Sequence, residues 1–226
     1  MRKIVIAIDG PAASGKSTTA KLVARRLGYL HIDTGAMYRA ITLRVLEERI
    51  ALDDVKSIRS VAERSKVRLE RIDHANRVLL DGRDVTKEIR SREVTRAVSM
   101  ISSYQPVRDV LVREQRRIAK DGGVVLEGRD IGTVVLPMAD LKIYMVASAD
   151  ERATRRKKEL EQSGTIVDRN VLEQEILERD RKDTTRAASP LQKAADAIEL
   201  DTSSLTIDQQ VEFVIAKANK VIEKST

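Results

Sequence analysis

KIVIAIDGPAASGKSTTAKLVARRLG, residues 3 to 28, decides the fold. Its first part, KIVIAID (3 to 9), is a continuous, largely β-branched apolar run bounded by Gly-Pro, the pattern of a buried strand in a parallel sheet. KSTTAKLVARRLG (16 to 28) then predicts a helix stopped by Gly28. The link between them, GPAASGKS (10 to 17), matches G-x-x-x-x-G-K-[S/T] in the strand, loop, helix setting that the pattern requires. In such a loop, glycines let backbone N–H groups point at phosphate oxygens and the helix N-terminus adds positive potential. Lys16 would reach the outer phosphates, and the Ser17 hydroxyl can take Mg²⁺. The candidate phosphate-binding residues are therefore Gly10, Pro11, Ala12, Ala13, Ser14, Gly15, Lys16, Ser17 and Thr18. The loop does not say what receives the phosphate.

Outward from this unit the α/β alternation continues. YLHID (29 to 33) predicts a short strand and GAMYRAITLRVLEERI (35 to 50) an amphipathic helix with Ala36, Ala40, Leu43 and Leu46 near one face. KVRLERIDHANRVLLDG (66 to 82) alternates on both sides of an Asp/His/Asn turn and predicts a hairpin, an antiparallel element foreign to a doubly wound sheet. Residues 60 to 103 are taken as an insert. Pro106 sits where a first helical turn tolerates it, and that helix should run to Gly122-Gly123. GVVLEG (123 to 128), LKIYMVAS (141 to 148) and AIELDTS (197 to 203) complete five parallel strands. The expected fold class is α/β, a three-layer P-loop core with a five-stranded parallel sheet and a small antiparallel hairpin insert.

With 226 residues, 42% apolar and 34% charged, the chain can bury a core as one folded unit. One Phe, four Tyr and no Trp argue against modules that stack nucleic-acid bases. A net charge of +7 suits polyanions, nucleotide phosphates as well as nucleic acid. The absence of cysteine excludes disulfides, thiolate zinc sites and thiol nucleophiles, and His31 and His74 are read as structural. IVIAI is shorter than a signal-peptide core, and no run approaches the roughly 20 apolar residues of a membrane span. A cytosolic protein is expected.

Three polar clusters bear on the phosphate acceptor. In DTGAMYR (33 to 39), Tyr38 and Arg39 follow a strand end, where α/β folds place ligands, although Arg39 could simply be solvated. In LEQEILERDRKDTTRAASP (172 to 190), Arg179, Asp183 and Arg186 fall on one helical stripe ending before Pro190. That stripe is either a surface ion-pair ladder or a holder of phosphate and hydroxyls. DERATRRKKEL (150 to 160) is a basic helix with Arg152, Arg155 and Arg156 on adjoining faces, read as a lid over ATP, a nucleic-acid patch or a solvated surface. LEGRDIGTVV (126 to 135) nearly repeats LDGRDVTKEI (80 to 89), but only the second GRD follows a buried strand. Arg83 and Asp84 are read as a turn with a salt-bridged surface.

Taken together, DGPAASGKST (9 to 18), DTGAMYRA (33 to 40), the hairpin insert, EGRDIGTVV (127 to 135) and ERDRKDTTRAASPL (178 to 191) resemble the bacterial cytidylate kinases, nucleoside-monophosphate kinases, over essentially the whole length. The resemblance implies a single kinase domain, 1 to 226, with a monophosphate-binding region enlarged by the insert and a short Arg-rich lid at 152 to 165. It implies transfer of phosphoryl from ATP to CMP or dCMP with Mg²⁺ at Ser17; a monomer without nucleic-acid or membrane partners is expected. By position, Thr34, Tyr38, Arg39, Ser99, Arg108, Arg129, Asp130, Arg179, Asp183 and Arg186 match the acceptor site. Lys16, Arg129, Arg155 and Arg186 are the expected catalytic set. Asp130 with Ser99 and Arg108 would read cytosine, Arg39, Arg129 and Arg186 the α-phosphate, and Asp183 with Arg179 the ribose. Asp9, Asp33 and Asp130 are the carboxylates considered for orienting metal-bound water, and the sequence does not choose among them. Another small-molecule P-loop kinase and a nucleic-acid-stimulated ATPase remain the alternatives.

Overall fold

The computed structural model describes residues 2–72, 75–162, 164 and 166–224. They form two compact units, one running to His31 and resuming at Asp121, the other Ile32–Lys120.

The first unit holds β1 (Val5–Asp9), α1 (Lys16–Leu27), the start of β2 (Leu30–Asp33), β6 (Val124–Gly128), β7 (Leu141–Val146), α6 (Ala149–Gln162), α7 (Arg169–Thr185), β8 (Ile198–Asp201) and α8 (Ile207–Glu223). The sheet order is β2-β6-β1-β7-β8, with β1 parallel to both neighbours in the registers Val5↔Val124 and Ile6↔Leu141. This is the parallel five-stranded sheet that the apolar runs predict. Ile4, Ile6 and Ile8, two residues apart, share one face and are fully buried, together with Val125, Ile143 and Met145 of the neighbouring strands. Ala20, Val23 and Ala24 of α1 and Val211, Val214 and Ala218 of α8 cover that face. Truncating one such isoleucine to alanine costs about 2–5 kcal/mol, a large share of a domain's stability. Gly28 (φ 69°) ends α1 as expected, the amides of Gly28 and Tyr29 closing on Arg25 O and Ala24 O at 3.4 and 2.8 Å.

One local feature has no counterpart in the sequence reading and a second differs from it. After β6, Ile131–Val135 make a single π-helical turn, a form frequent at functional sites. α7 stops at Thr185, so Arg186 stands outside the helix in extended conformation (φ −63°, ψ 140°) rather than continuing the Arg179–Asp183 stripe. The Asp183 carbonyl, left open by the end of the helix, is taken by Leu191 N at 2.8 Å.

The second unit holds the end of β2, α2 (Thr34–Glu47), α3 (Val55–Arg64), β3 (Val67–Ile72), β4 (Ala75–Leu80), β5 (Arg83–Asp84), α4 (Arg92–Ile101) and α5 (Gln105–Ala119). α2 touches α3, α4, β3 and β4, so its buried surface is wider than the expected face. Met37, Ile41 and Val45 are fully buried beside Ala36 and Ala40, whereas Leu43 and Leu46 are only half-buried. α3 packs on α5, whose first turn carries Pro106. The hairpin forms in the register Val67↔Leu80, and its Asp73–His74 tip lies outside the described residues. The first GRD is not merely a turn. Asp81 and Gly82, both at positive φ, reverse the chain so that Arg83 and Asp84 add a third strand to β4. Its surface is salt-bridged, Arg83 to Glu47 and Asp84 to Arg77.

Candidate active site

The phosphate loop is held from behind. Gly10, Ala13 and Gly15 take φ of 146°, 59° and 91°, and a Cβ on Gly10 would lie 2.0 Å from Met145 O, so only glycine fits there. Pro11 O accepts from Lys16 Nζ at 2.5 Å and from Ser14 Oγ at 3.0 Å. Ala12 O accepts from Arg152 at 3.3 Å and Ser14 O from Thr202 Oγ1 at 3.0 Å. In a planar trans peptide the following N–H points opposite to its carbonyl, so these contacts fix the directions of the amides of Ala12, Ala13 and Gly15. Lys16 is buried, and burial, reinforced by the charges of Arg129 and Arg179, holds its ammonium well below the usual lysine range against the pull of Glu127 and Asp9.

Glu127, at the carboxyl end of β6, is the residue that sequence reasoning missed. Its Oε2 accepts from the Ser17 hydroxyl at 2.6 Å and its Oε1 lies 2.9 Å from His31 Nε2. Burial pushes this carboxyl up, but the hydrogen bond and charge of His31, the Ser17 hydroxyl and Lys16 outweigh it and hold the group below its ordinary range. A glutamate ending a buried strand in an α/β pattern was the available signal, since ligands bind at that end. The three aspartates considered for orienting metal-bound water make contacts of their own. Asp9 accepts Ile131 N and Gly132 N at 2.8 and 2.7 Å, fixing the π-helical turn. Its burial, opposed by those two N–H groups, pushes it up to about 6. Asp33 caps α2 through Ala36 N at 2.9 Å, and Asp130 lies 3.6 Å from Arg186.

The first unit brings together five of the expected acceptor residues. Arg129 Nε donates to Asp183 Oδ2 at 2.9 Å and its NH1 to Gly128 O at 3.3 Å. Arg179 approaches the same carboxylate at 4.0 Å. Arg186 anchors its Nε on Ser189 O at 2.7 Å. In the second unit, the fully buried Arg108 lies over the Tyr38 ring, 5.4 Å from its centroid, and donates to Ser102 O at 3.2 Å. Ser99 is half-buried and its carbonyl accepts from Ser102 Oγ at 3.1 Å, which ties it to the same turn. Arg39 donates to Thr95 Oγ1 at 2.9 Å and Ile89 O at 3.3 Å, and Thr34 is buried at the start of α2.

The arginines of α6 separate. Arg152 is buried, bonded to Asp180 at 2.5 Å and Ala147 O at 3.1 Å. Arg155 lies on Thr202, with Oγ1 and O at 3.0 and 2.6 Å. Arg156 pairs with Glu159 on the surface. Among the described residues no helix is long and apolar enough to cross a membrane, and no group of three or more acidic or histidine side chains is poised as a metal cage.

A parallel sheet whose central strand runs into a G-x-x-x-x-G-K-S loop and a helix defines the P-loop NTPase class. A gluconokinase from Sinorhizobium meliloti shares the fold, with TM-score 0.51 and 16% identity over 99% of this chain and 97% of that one. The family model "Cytidylate kinase" matches residues 6–220. The chain is 51% identical to the cytidylate kinase of Lactococcus lactis subsp. cremoris MG1363 over 98% of its length and all of that protein. It is also 51% identical to that of Pelotomaculum thermopropionicum over 95% of each, and 49% to that of Geobacillus sp. WCH70 over 97% and 98%. The chain belongs to the cytidylate kinase family.

Proposed function

We propose that this protein transfers the γ-phosphoryl group of ATP to CMP or dCMP, giving ADP and the corresponding diphosphate. The observation that carries the reading, beyond family membership, is the burial of Lys16 beside Arg129 and Arg179 at the phosphate loop. Gathering like charges out of water costs free energy. Glu127, Asp9 and Asp183 offset part of it, and the positive charge concentrated at the loop suits a polyanion.

Phosphoryl transfer needs positioning and charge neutralisation rather than covalent help, so the residue roles follow from geometry. Gly10 to Thr18 cradle the donor phosphates, and Lys16 neutralises the outer ones. Arg129 and Arg186, each fixed by its own partners, and Arg39 take the acceptor α-phosphate. Arg179 and Asp183 take the ribose hydroxyls. Asp130 accepts from the cytosine amine with help from Ser99, Arg108 donates to the ring acceptors, and Thr34 and Tyr38 support them. Arg155 is assigned to the transferred group and residues 152–165 to a lid, with 60–103 as the monophosphate-binding insert of a single kinase domain. The Ser17 hydroxyl against the Glu127 carboxylate suits Mg²⁺, which takes one or two protein oxygens and keeps several waters. Ser17 and Glu127 would hold that ion, which would supply positive charge against the donor phosphates. The reading carries with it a cytoplasmic monomer without nucleic-acid partners.

A coupled ADP-release assay with each nucleoside monophosphate, and separately with RNA and DNA, tests it. CMP and dCMP should stimulate release most. Release driven by nucleic acid, or by a purine monophosphate above CMP, would overturn it.

A further inference from the structure

Glu127 uses its two oxygens on different partners: Oε2 accepts from Ser17 Oγ at 2.6 Å, and Oε1 meets His31 Nε2 at 2.9 Å. Both side chains of the second contact are nearly dry, 10% and 5% exposed, so its loss is not made good by bulk water. His31 stands on β2 and Glu127 on β6, adjacent strands of the sheet, and Leu30 N donates to Gly123 O at 2.9 Å beside them. The imidazole is therefore held by a rigid backbone rather than a loop. An ionised carboxylate only accepts, so His31 Nε2 must carry the hydrogen that points at Oε1. Lys16 also acts on Glu127 electrostatically, so without that donor the carboxylate is left to a competing partner.

We infer that His31 is a positioning residue: through Glu127 it holds the Ser17 hydroxyl in the orientation that serves the donor phosphates and their metal ion. The inference rests on the proposed donor site. Partners that orient metal-ligating groups typically contribute 10–100-fold in affinity or activity, although they touch neither metal nor substrate.

The test compares wild type with His31→Phe, His31→Gln, Glu127→Gln and the double variant His31→Phe/Glu127→Gln. Calorimetry gives the Kd of ATP with Mg²⁺ and with excess EDTA, and melting curves check folding. His31→Phe should weaken ATP binding about tenfold in Mg²⁺ and less than about twofold in EDTA, with the CMP KM unchanged. His31→Gln, whose Nε2 can still donate, should restore most of the affinity. In the Glu127→Gln background the Phe substitution should add little, because the two act through one another. If the Phe ring prevents folding, His31→Asn, too short to reach Glu127, carries the same expectations. Equal weakening with and without Mg²⁺, unchanged affinity, or full additivity would overturn the role. Wild-type ATP affinity indifferent to Mg²⁺ would instead overturn the donor-site reading on which the role rests.

Discussion

Arg129 Nε donates to Asp183 Oδ2 at 2.9 Å, joining the end of β6 to the last turns of α7. Burial alone would push the Asp183 carboxyl up, but Arg129, Arg179 and Arg186 together hold it below its ordinary value. Because its value is lowered on folding, the pair contributes stability that is present above the ordinary carboxylate pKa and lost as pH falls through the lowered one. The same pair fixes the direction of a guanidinium assigned to phosphate.

Asp183→Ala should therefore act twice. Removing the buried, hydrogen-bonded charge partner of a half-buried arginine should lower stability by about 1.5–3 kcal/mol at neutral pH, read by urea denaturation. It should also pull the CMP to dCMP ratio of kcat/KM toward one, since a carboxylate on a 2′-hydroxyl cannot act on the deoxy sugar. An unchanged ratio would return Asp183 to a purely structural pair with Arg129.

Asp9 predicts the opposite pH dependence. Its carboxyl is pushed up to about 6, so its contribution is present below the ordinary value of 3.8 and lost as pH rises through 6. That difference amounts to about 3 kcal/mol at 1.36 kcal/mol per pH unit. Measured between pH 4 and 7, the stability of wild type minus that of Asp9→Asn should fall by roughly this amount. Parallel profiles would place the burial penalty elsewhere.

Asp130→Asn bears on base choice. A carboxylate only accepts, which favours the cytosine amine and opposes the uracil carbonyl, whereas an amide can serve either. Loss of a charge-assisted bond costs about 1.5–3 kcal/mol, so the CMP to UMP ratio of kcat/KM should fall about tenfold or more. An unchanged ratio, even with lower activity, would assign selection to Ser99 and Arg108.

The parts legible in the sequence are those whose cause is local. KIVIAID, GPAASGKS and the following helix announce themselves through continuous apolar residues and glycine spacing, and the other parallel strands through the same runs. Arg186 misleads because helical periodicity does not mark where a helix ends, and the chain leaves the helix after Thr185. β5 was invisible since two residues, Arg83 and Asp84, carry no period. Glu127 was missed for another reason: its partners His31 and Ser17 lie 96 and 110 positions away, and only the sheet order brings them to it. The buried Arg152, which reads in sequence as one more charge on a basic helix, is likewise explained only by Asp180 and the Ala12 carbonyl.

The central claim is that γ-phosphoryl passes from ATP to a cytidine monophosphate at the loop around Lys16. Incubation with ATP labelled in its γ-phosphate, with and without CMP, followed by separation of nucleotides, measures it directly. Wild type should place the label in CDP, with little free phosphate, and Lys16→Met should lose most of that transfer while melting as a folded protein. Label appearing mainly as inorganic phosphate regardless of CMP, or wild-type turnover in Lys16→Met, would contradict it.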